Sequence, residues 1–288
     1  MTFFSDLGVT LITPTAPSTG VLFVCSPGGG FPRTTFDLPH HSMAAHLSAL
    51  GHTVAMVDLL GTGDSAVDGD AATMAAAGAA LAMVTREVAA SSGASFVVGL
   101  GHSLGAAVTV RAEADQHPFD AVAVLGYSPA WVSVAATPER PTGTDAIRDW
   151  TRAQLTDPLW ATPEVRFPRS LDDPFSFYPD VRIESRIAAF ADEVPVPRAL
   201  ALDFGIPEPA LAAAAAVTTP VLLAFGSTDA SAAPAREELF YSASPAVCTV
   251  QLEGSAHVHH VSSDRLLLWD RLHDWAIAHR TINEKDNQ

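Results

Sequence analysis

The chain has 288 residues, 48% hydrophobic and 17% charged, which is enough to bury one large core or two smaller ones and far from a disordered composition. A net charge of −16, with only 16 Lys and Arg scattered along the chain, excludes a basic nucleic-acid patch and disfavours binding to anionic membrane surfaces. The longest apolar run, Ala71 to Val84, is interrupted by Thr73 and is too short to cross a bilayer.

The first apolar segments, Gly8–Thr13 and Val21–Cys25, flank a Pro/Ser/Thr/Gly turn cluster and read as a strand pair. Ser26-Pro27-Gly28-Gly29-Gly30-Phe31-Pro32 follows, a loop in which backbone must closely approach something. His41 to Leu50 has helical spacing and stops at Gly51, and His52–Leu60 is a second buried strand ending at Gly61-Thr62-Gly63. Ala71–Ala90 is an Ala-rich helix. Ser95–Leu100 is a short strand, the residues after Ser103 form a helix to about His117, and Ala121–Leu125 is another strand.

This alternation predicts an α/β fold, a mostly parallel sheet with helices on both faces. It breaks at Pro129. From there to Val217 the chain is rich in Pro, Trp and Phe, then returns with strands at Val221–Phe225 and Val247–Leu252, a helix near Ala235–Phe240, and a last helix from about Ser263 to His279. The expected organisation is therefore a core of residues 1–128 and 218–288, interrupted by a mainly helical cap over 129–217. The polar tail Thr281–Gln288 reads as frayed.

Gly101-His102-Ser103-Leu104-Gly105 lies between a strand and a helix. Glycine two positions to either side of a serine permits a turn so tight that the serine backbone is strained and its hydroxyl stands out at the strand end. A serine hydroxyl is a weak nucleophile until a base takes its proton, and the base needs an orienting acid. In a strand–elbow–helix setting these follow in the order Ser, Asp or Glu, His. Asp229 comes just after the strand Val221–Phe225, and His257 occupies the corresponding place after Val247–Leu252. Loops at the carboxyl ends of parallel strands converge on one crevice, so Ser103, Asp229 and His257 are expected to meet there.

These pieces, with the glycine loop after Cys25 and Asp58-Leu59-Leu60-Gly61-Thr62-Gly63-Asp64-Ser65, resemble the α/β-hydrolase superfamily, and in particular its esterase- and lactonase-like serine hydrolases with a cap domain. The resemblance covers nearly the whole chain. It implies that Ser103 is the nucleophile, His257 the general base and Asp229 its partner. It also implies an oxyanion hole built from the N–H of Leu104 and an N–H of the glycine loop, for which Gly30 and Phe31 are the favoured donors. The loop reads Ser-Pro-Gly-Gly-Gly where members of the family carry His-Gly-Gly-Gly, and the N-terminus is short, so the first strands are expected to be missing or reduced.

Other residues compete for these roles. His259 and His260 are read as loop polarity at the site mouth, and no Cys or carboxylate pair completes a metal site around them. Asp58 is expected to cap the Gly61–Gly63 turn, and His102 to pack against the sheet. Gly61-x-Gly63-x-x-Ala66 fits a dinucleotide-binding pattern but lacks the following helix and the acid about twenty residues on. Asp172, Asp173 and Asp180 read as turn carboxylates. Within the insertion, Trp131, Trp150, Trp160 and Phe177 are candidate substrate-wall residues.

The expected reaction is acyl-enzyme hydrolysis of a small carboxylic ester or lactone with an apolar body. A thioesterase, an acyltransferase, a C–C bond hydrolase with the same triad, and a non-catalytic ligand-binding relative are the alternatives. No cofactor or metal is expected, and no nucleic-acid or membrane partner. A monomer or a homodimer fits equally. Cys25 and Cys248 read as buried thiols, and the N-terminus lacks the basic start and apolar stretch of a signal peptide, which together make the cytoplasm the expected compartment.

Overall fold

The structure is a computed structural model in which residues 2–4, 7–65, 67, 70–130, 163–166, 170–231 and 233–286 are described. In chain order the elements are β1 (Thr2–Phe4), β2 (Leu7–Ile12), β3 (Val21–Ser26), β4 (Asp37–Leu38), β5 (His41–Ser42), α1 (Met43–Ala49), β6 (Thr53–Val57), α2 (Met74–Ser92), β7 (Phe96–His102), α3 (Leu104–Gln116) and β8 (Ala121–Leu125). Then come β9 (Glu164–Val165), α4 (Ile183–Ala189), β10 (Val196–Pro197), α5 (Arg198–Phe204), α6 (Pro207–Ala216), β11 (Val221–Thr228), β12 (Val247–Ala256) and α7 (Arg265–Asp286).

Eight strands form one sheet in the order β1-β2-β6-β3-β7-β8-β11-β12. The pairs from β6 through β12 are parallel, and β1 and β2 join at one edge in antiparallel fashion. The parallel strands are apolar on both faces because helices cover both faces. Along β3, Leu22 and Val24 point into a core shared with α2, α3 and α6, whereas Val21, Phe23 and Cys25 point into a core closed by α1 and by Leu268, Trp269, Leu272 and Trp275 of α7.

Two details differ from the sequence reading, and a third, the reduced first strand, agrees with it. β2 and β3 do not pair, because β6 lies between them and bonds to both. The linker from residue 13 to 20 is long enough to carry the chain past one strand. At the N-terminus both early strands exist, β1 being reduced to three residues. The tail expected to fray continues α7 to Asp286. Asn283 in this stretch donates to Asp120 at 3.3 Å, tying the late helix back to the sheet.

α2 and α1 begin as their sequences direct. Thr73 accepts the Ala76 N–H through its hydroxyl at 3.2 Å and Ser42 accepts that of Ala45 at 2.8 Å, each satisfying one N–H that the helix itself leaves unpaired. α2 ends at Gly93, whose φ of +65° is the left-handed stop.

The described part of the insertion consists of α4, α5 and the two-residue ladder of β9 and β10. Arg186 of α4 organises it by donating to the carbonyls of Val181 (2.9 Å) and Leu171 (2.8 Å). α6 completes the stretch expected to end at 217, and Ala213, Ala214 and Val217 are buried in one core with Val165, Val196, Leu200 and Ala201 of β9, β10 and α5 and with α2 and α3. Among the described residues no single helix is long and apolar enough to cross a membrane.

Candidate active site

β7 is flanked by β3 and β8, with Ser26 opposite Gly101 and His102 opposite Leu125. The chain then reverses at Ser103, whose φ of 52° and ψ of −118° are strained for a residue with a Cβ, a conformation costing about 1–3 kcal/mol. Packing enforces it. A Cβ on Gly101 would stand 2.3 Å from the Ala106 Cα, and one on Gly105 would stand 2.2 Å from the Ser26 carbonyl oxygen. Only glycine lets α3 lie this close to β3 and β7. The Ser103 N–H donates to the Leu125 carbonyl at 2.8 Å, fixing the turn to the end of β8, while its side chain remains partly exposed.

Asp229 lies just past β11, where the register against β12 shifts between Gly226 and Thr228. Its side chain is fully buried, and the His257 Nδ1–H donates to its Oδ1 at 2.7 Å. A carboxylate only accepts, so this bond places the His257 proton on Nδ1 and leaves Nε2 to act as a base. Burial opposes ionisation of the Asp229 carboxyl. The attraction and hydrogen bond of His257 and the hydrogen bond of His259 outweigh it and hold the group well below the usual carboxylate range.

The end of β8, whose Leu125 carbonyl holds the Ser103 N–H, also packs against His257. The residue after Leu125 is Gly126, at φ +60°, and a Cβ there would touch the His257 ring at 2.9 Å. His102 packs against the same ring, centroid to centroid 4.7 Å, and its Nε2–H donates to the His257 carbonyl at 2.7 Å. Burial, followed by the neighbouring imidazoles, holds His102 well below the ordinary histidine range, so it serves as a neutral strut. The sequence places it against the sheet, whereas its ring packs against His257, His259 and His260.

The insertion grips the same loop. The His257 N–H donates to the Phe175 carbonyl at 2.9 Å and the Val258 N–H to that of Ser176 at 3.0 Å. The Phe175 ring stacks on His257 with centroids 4.5 Å apart and planes 25° apart. Asp173 shapes this segment by accepting the Phe175 N–H at 3.1 Å and the Ser176 hydroxyl at 2.7 Å, the turn role read from sequence. Phe175 is a residue the sequence reading missed. Phe177, which it chose, is only 2% exposed and packs with Phe31, Phe190, Val181, Val258 and Val261. Its ring is used up between Phe190 (4.9 Å) and the Arg186 guanidinium (5.7 Å), so it backs the site instead of forming a substrate wall. Trp131, Trp150 and Trp160 lie outside the described residues.

The glycine loop corrects a second expectation. The Phe31 N–H donates to the Gly28 carbonyl at 3.1 Å, closing a turn with Gly30 at φ +84°, and so is not directed at a reacting oxygen. The Phe31 ring instead sits edge-on to His102 (6.2 Å) and His260 (6.0 Å). Leu104 is the first residue of α3, where an N–H has no acceptor within the helix.

His259 and His260 are not mouth residues. They are 2% and 3% exposed. The His259 Nε2–H donates to Asp229 Oδ2 at 2.9 Å, and His260 Nε2 lies 2.8 Å from the Thr35 hydroxyl. Asp58 does shape its turn, accepting the Asp64 N–H at 3.0 Å, and it also pairs with the Arg33 guanidinium, a partner the sequence did not reveal. Arg33 reaches on to Asp64 at 2.8 Å, so Asp58 is fully engaged away from the Ser103 elbow.

In structure the chain is similar to a monoacylglycerol lipase of Paleococcus ferrophilus, with 15% identity over 95% of this chain and 99% of that one and a TM-score of 0.68. It is also similar to a thermophilic esterase of Thermogutta terrifontis (17% identity, 95% and 94% covered, TM-score 0.62) and to a proline iminopeptidase of Mycobacterium smegmatis (17% identity, 96% of each chain, TM-score 0.60). At these identities the likeness establishes the fold. No curated protein matches the chain. The alpha/beta hydrolase family matches residues 21–268, which takes in the glycine loop, the elbow at Ser103, Asp229 and His257, and supports hydrolytic chemistry. The chain belongs to the alpha/beta hydrolase family.

Proposed function

We propose that the protein is a serine hydrolase that cleaves a carboxylic ester or lactone with an apolar body through an acyl-enzyme. The observation that carries this reading is the pairing of a strained, partly exposed Ser103 elbow with a His257 whose Nδ1–H is committed to a buried Asp229 at 2.7 Å. His257 Nε2 takes the Ser103 proton as Oγ attacks the acyl carbonyl. The developing oxyanion is held by the Leu104 N–H and by the Gly30 N–H, donors worth several kcal/mol when aimed at a developing charge. The imidazolium returns its proton to the departing alkoxide. A water deprotonated by the same His257 then hydrolyses the ester to Ser103, and the acid leaves. Asp229 keeps the imidazole in the required tautomer and stabilises its charged form.

The apolar character assigned to the substrate rests on the aromatic ring at the site itself, Phe175 stacked on His257. The esterase and lipase among the similar structures support an ester as the bond cleaved. The test is fluorophosphonate labelling together with a series of p-nitrophenyl esters of rising acyl length. Labelling is expected at Ser103 and is lost in Ser103→Ala, whose kcat falls by at least about a thousandfold. Ester hydrolysis surviving undiminished in Ser103→Ala refutes the mechanism.

A further inference from the structure

The Asp229 carboxylate serves two histidines. Its Oδ1 accepts the Ala230 N–H (2.6 Å) and His257 Nδ1–H (2.7 Å), and its Oδ2 accepts the Gly226 N–H (2.9 Å) and His259 Nε2–H (2.9 Å). Each oxygen thus receives one backbone and one imidazole donor, which fills the acceptor capacity of the group. The two histidines are not equivalent. His259 is 2% exposed, and its other nitrogen, Nδ1, is sealed from solvent with no hydrogen-bond partner. That nitrogen cannot reach a substrate, and a second proton there would be buried without an acceptor. His257 is more open at 9%.

Resting on the serine-hydrolase reading above, we propose that His259 is a positioning residue. It holds the second carboxylate oxygen of Asp229 so that the first faces His257, and it withdraws charge that would otherwise strengthen the grip of Asp229 on a protonated His257.

The surroundings favour a clean readout of this role. The groups facing the two rings are Asp229, His102 and His260, with His41 acting on His260 and Arg265 acting on His41. Burial is the first cause lowering His102, His260 (to about 3) and His41, so these three are uncharged near neutral pH. Asp229 is then the charge that both rings contact directly. Removing the His259 donor leaves Oδ2 with the Gly226 N–H alone. The carboxylate becomes more negative toward His257, and the imidazolium, which cannot act as a base, persists to higher pH.

The experiment compares His259→Leu with His259→Gln, whose amide can still donate, on a p-nitrophenyl ester hydrolysed by the wild type, with fluorophosphonate labelling of Ser103 in parallel. For His259→Leu the expected result is a kcat lower by about tenfold, KM within about twofold, and the acidic limb of kcat/KM moved up by about half a pH unit. His259→Gln is expected to recover most of both. A folded His259→Leu with the wild-type kcat and acidic limb overturns the proposal while labelling at Ser103 leaves the hydrolase reading intact. Should His259→Leu fail to fold, His259→Gln is compared with His259→Asn, which is too short to reach Oδ2, and equal pH profiles for these two overturn it as well. Activity that survives Ser103→Ala would instead sink the underlying reading.

Discussion

His52 sits far from the Ser103 elbow and offers a sharp test of how this core tolerates acid. The residue is fully buried, with Nδ1 2.7 Å from the Thr19 hydroxyl, Nε2 2.7 Å from His273 Nδ1, and its ring edge-on to Phe23 at 5.2 Å. The short bond between the two imidazoles holds one proton. Charging both rings would set two N–H groups head to head. Burial first, and then His273, lower His52 from 6.5 to about 4. Because the folded value is depressed, the unfolded chain binds the proton first as pH falls. Stability is therefore intact above about 6.5 and drains between 6.5 and 4. At pH 5 the unfolded side chain is about 1.5 units past its midpoint, a loss of about 2 kcal/mol from this residue. His52→Gln keeps a polar side chain but cannot titrate there. For a chain of this size, 2 kcal/mol corresponds to about 4–8 °C in Tm. Melting curves for both proteins at pH 7.5 and pH 5 are expected to show the wild type losing about that much more than the variant. His260 (lowered to about 3) and the carboxyls of Glu113, Asp120 and Glu237, all raised by burial, contribute equally to both proteins and cancel. Equal acid losses in the two proteins would refute the reasoning.

Gly105→Ala places a methyl 2.2 Å from the Ser26 carbonyl oxygen and 2.4 Å from that of Pro27, both backbone atoms that cannot swing aside. It is expected to cost about 3 kcal/mol and to abolish fluorophosphonate labelling of Ser103, and near-wild-type labelling and melting would contradict the close packing described here. Phe175→Ala removes the ring stacked on His257 and is expected to lower kcat about five- to thirtyfold on a p-nitrophenyl ester, the worth of a stacked ring that also faces a developing imidazolium. An unchanged kcat would show that the ring does not contribute.

The parts of this architecture legible in the sequence are those written locally. The elbow is spelled by two glycines whose necessity is steric, and Asp229 and His257 could be located because each immediately follows an apolar strand. Pairing between strands is not local. Nothing in Gly8–Thr13 or Val21–Cys25 announces that β6, contributed thirty residues later, separates them. Burial of polar residues was equally hidden. His259 and His260 read as solvated loop residues, yet each is enclosed because a specific partner, Asp229 or Thr35, waits inside. Phe175 and Phe177 are two apart in an irregular segment, and which of them meets His257 depends on the turn made by Asp173, a tertiary matter. At the C-terminus the composition of 281–286 suggested fraying, but those residues continue a helix already anchored by Leu268, Leu272 and Trp275.

The contacts of the insertion assign it more than the covering role that its aromatic content suggested. Its Phe175 and Ser176 carbonyls accept the N–H groups of His257 and Val258, its Pro174 carbonyl accepts the Thr228 hydroxyl one residue before Asp229, and its Val194 N–H donates to the Gly30 carbonyl at 3.1 Å. The loops bearing the proposed base, its acid and the proposed oxyanion donors are therefore each tied to the insertion. Ser103 is held differently, by Gly101, Gly105 and the Leu125 carbonyl, all parts of the sheet and its helix. The proposed nucleophile is fixed by the core, and the groups proposed to align to it are fixed partly by the insertion. A shift of the insertion by even a fraction of an ångström would move His257 and the glycine loop relative to Ser103 without disturbing the elbow, and alignment on that scale governs catalytic rate. On the proposed mechanism the insertion is in this sense part of the reacting frame, and its sequence is expected to bear on the rate of the reaction.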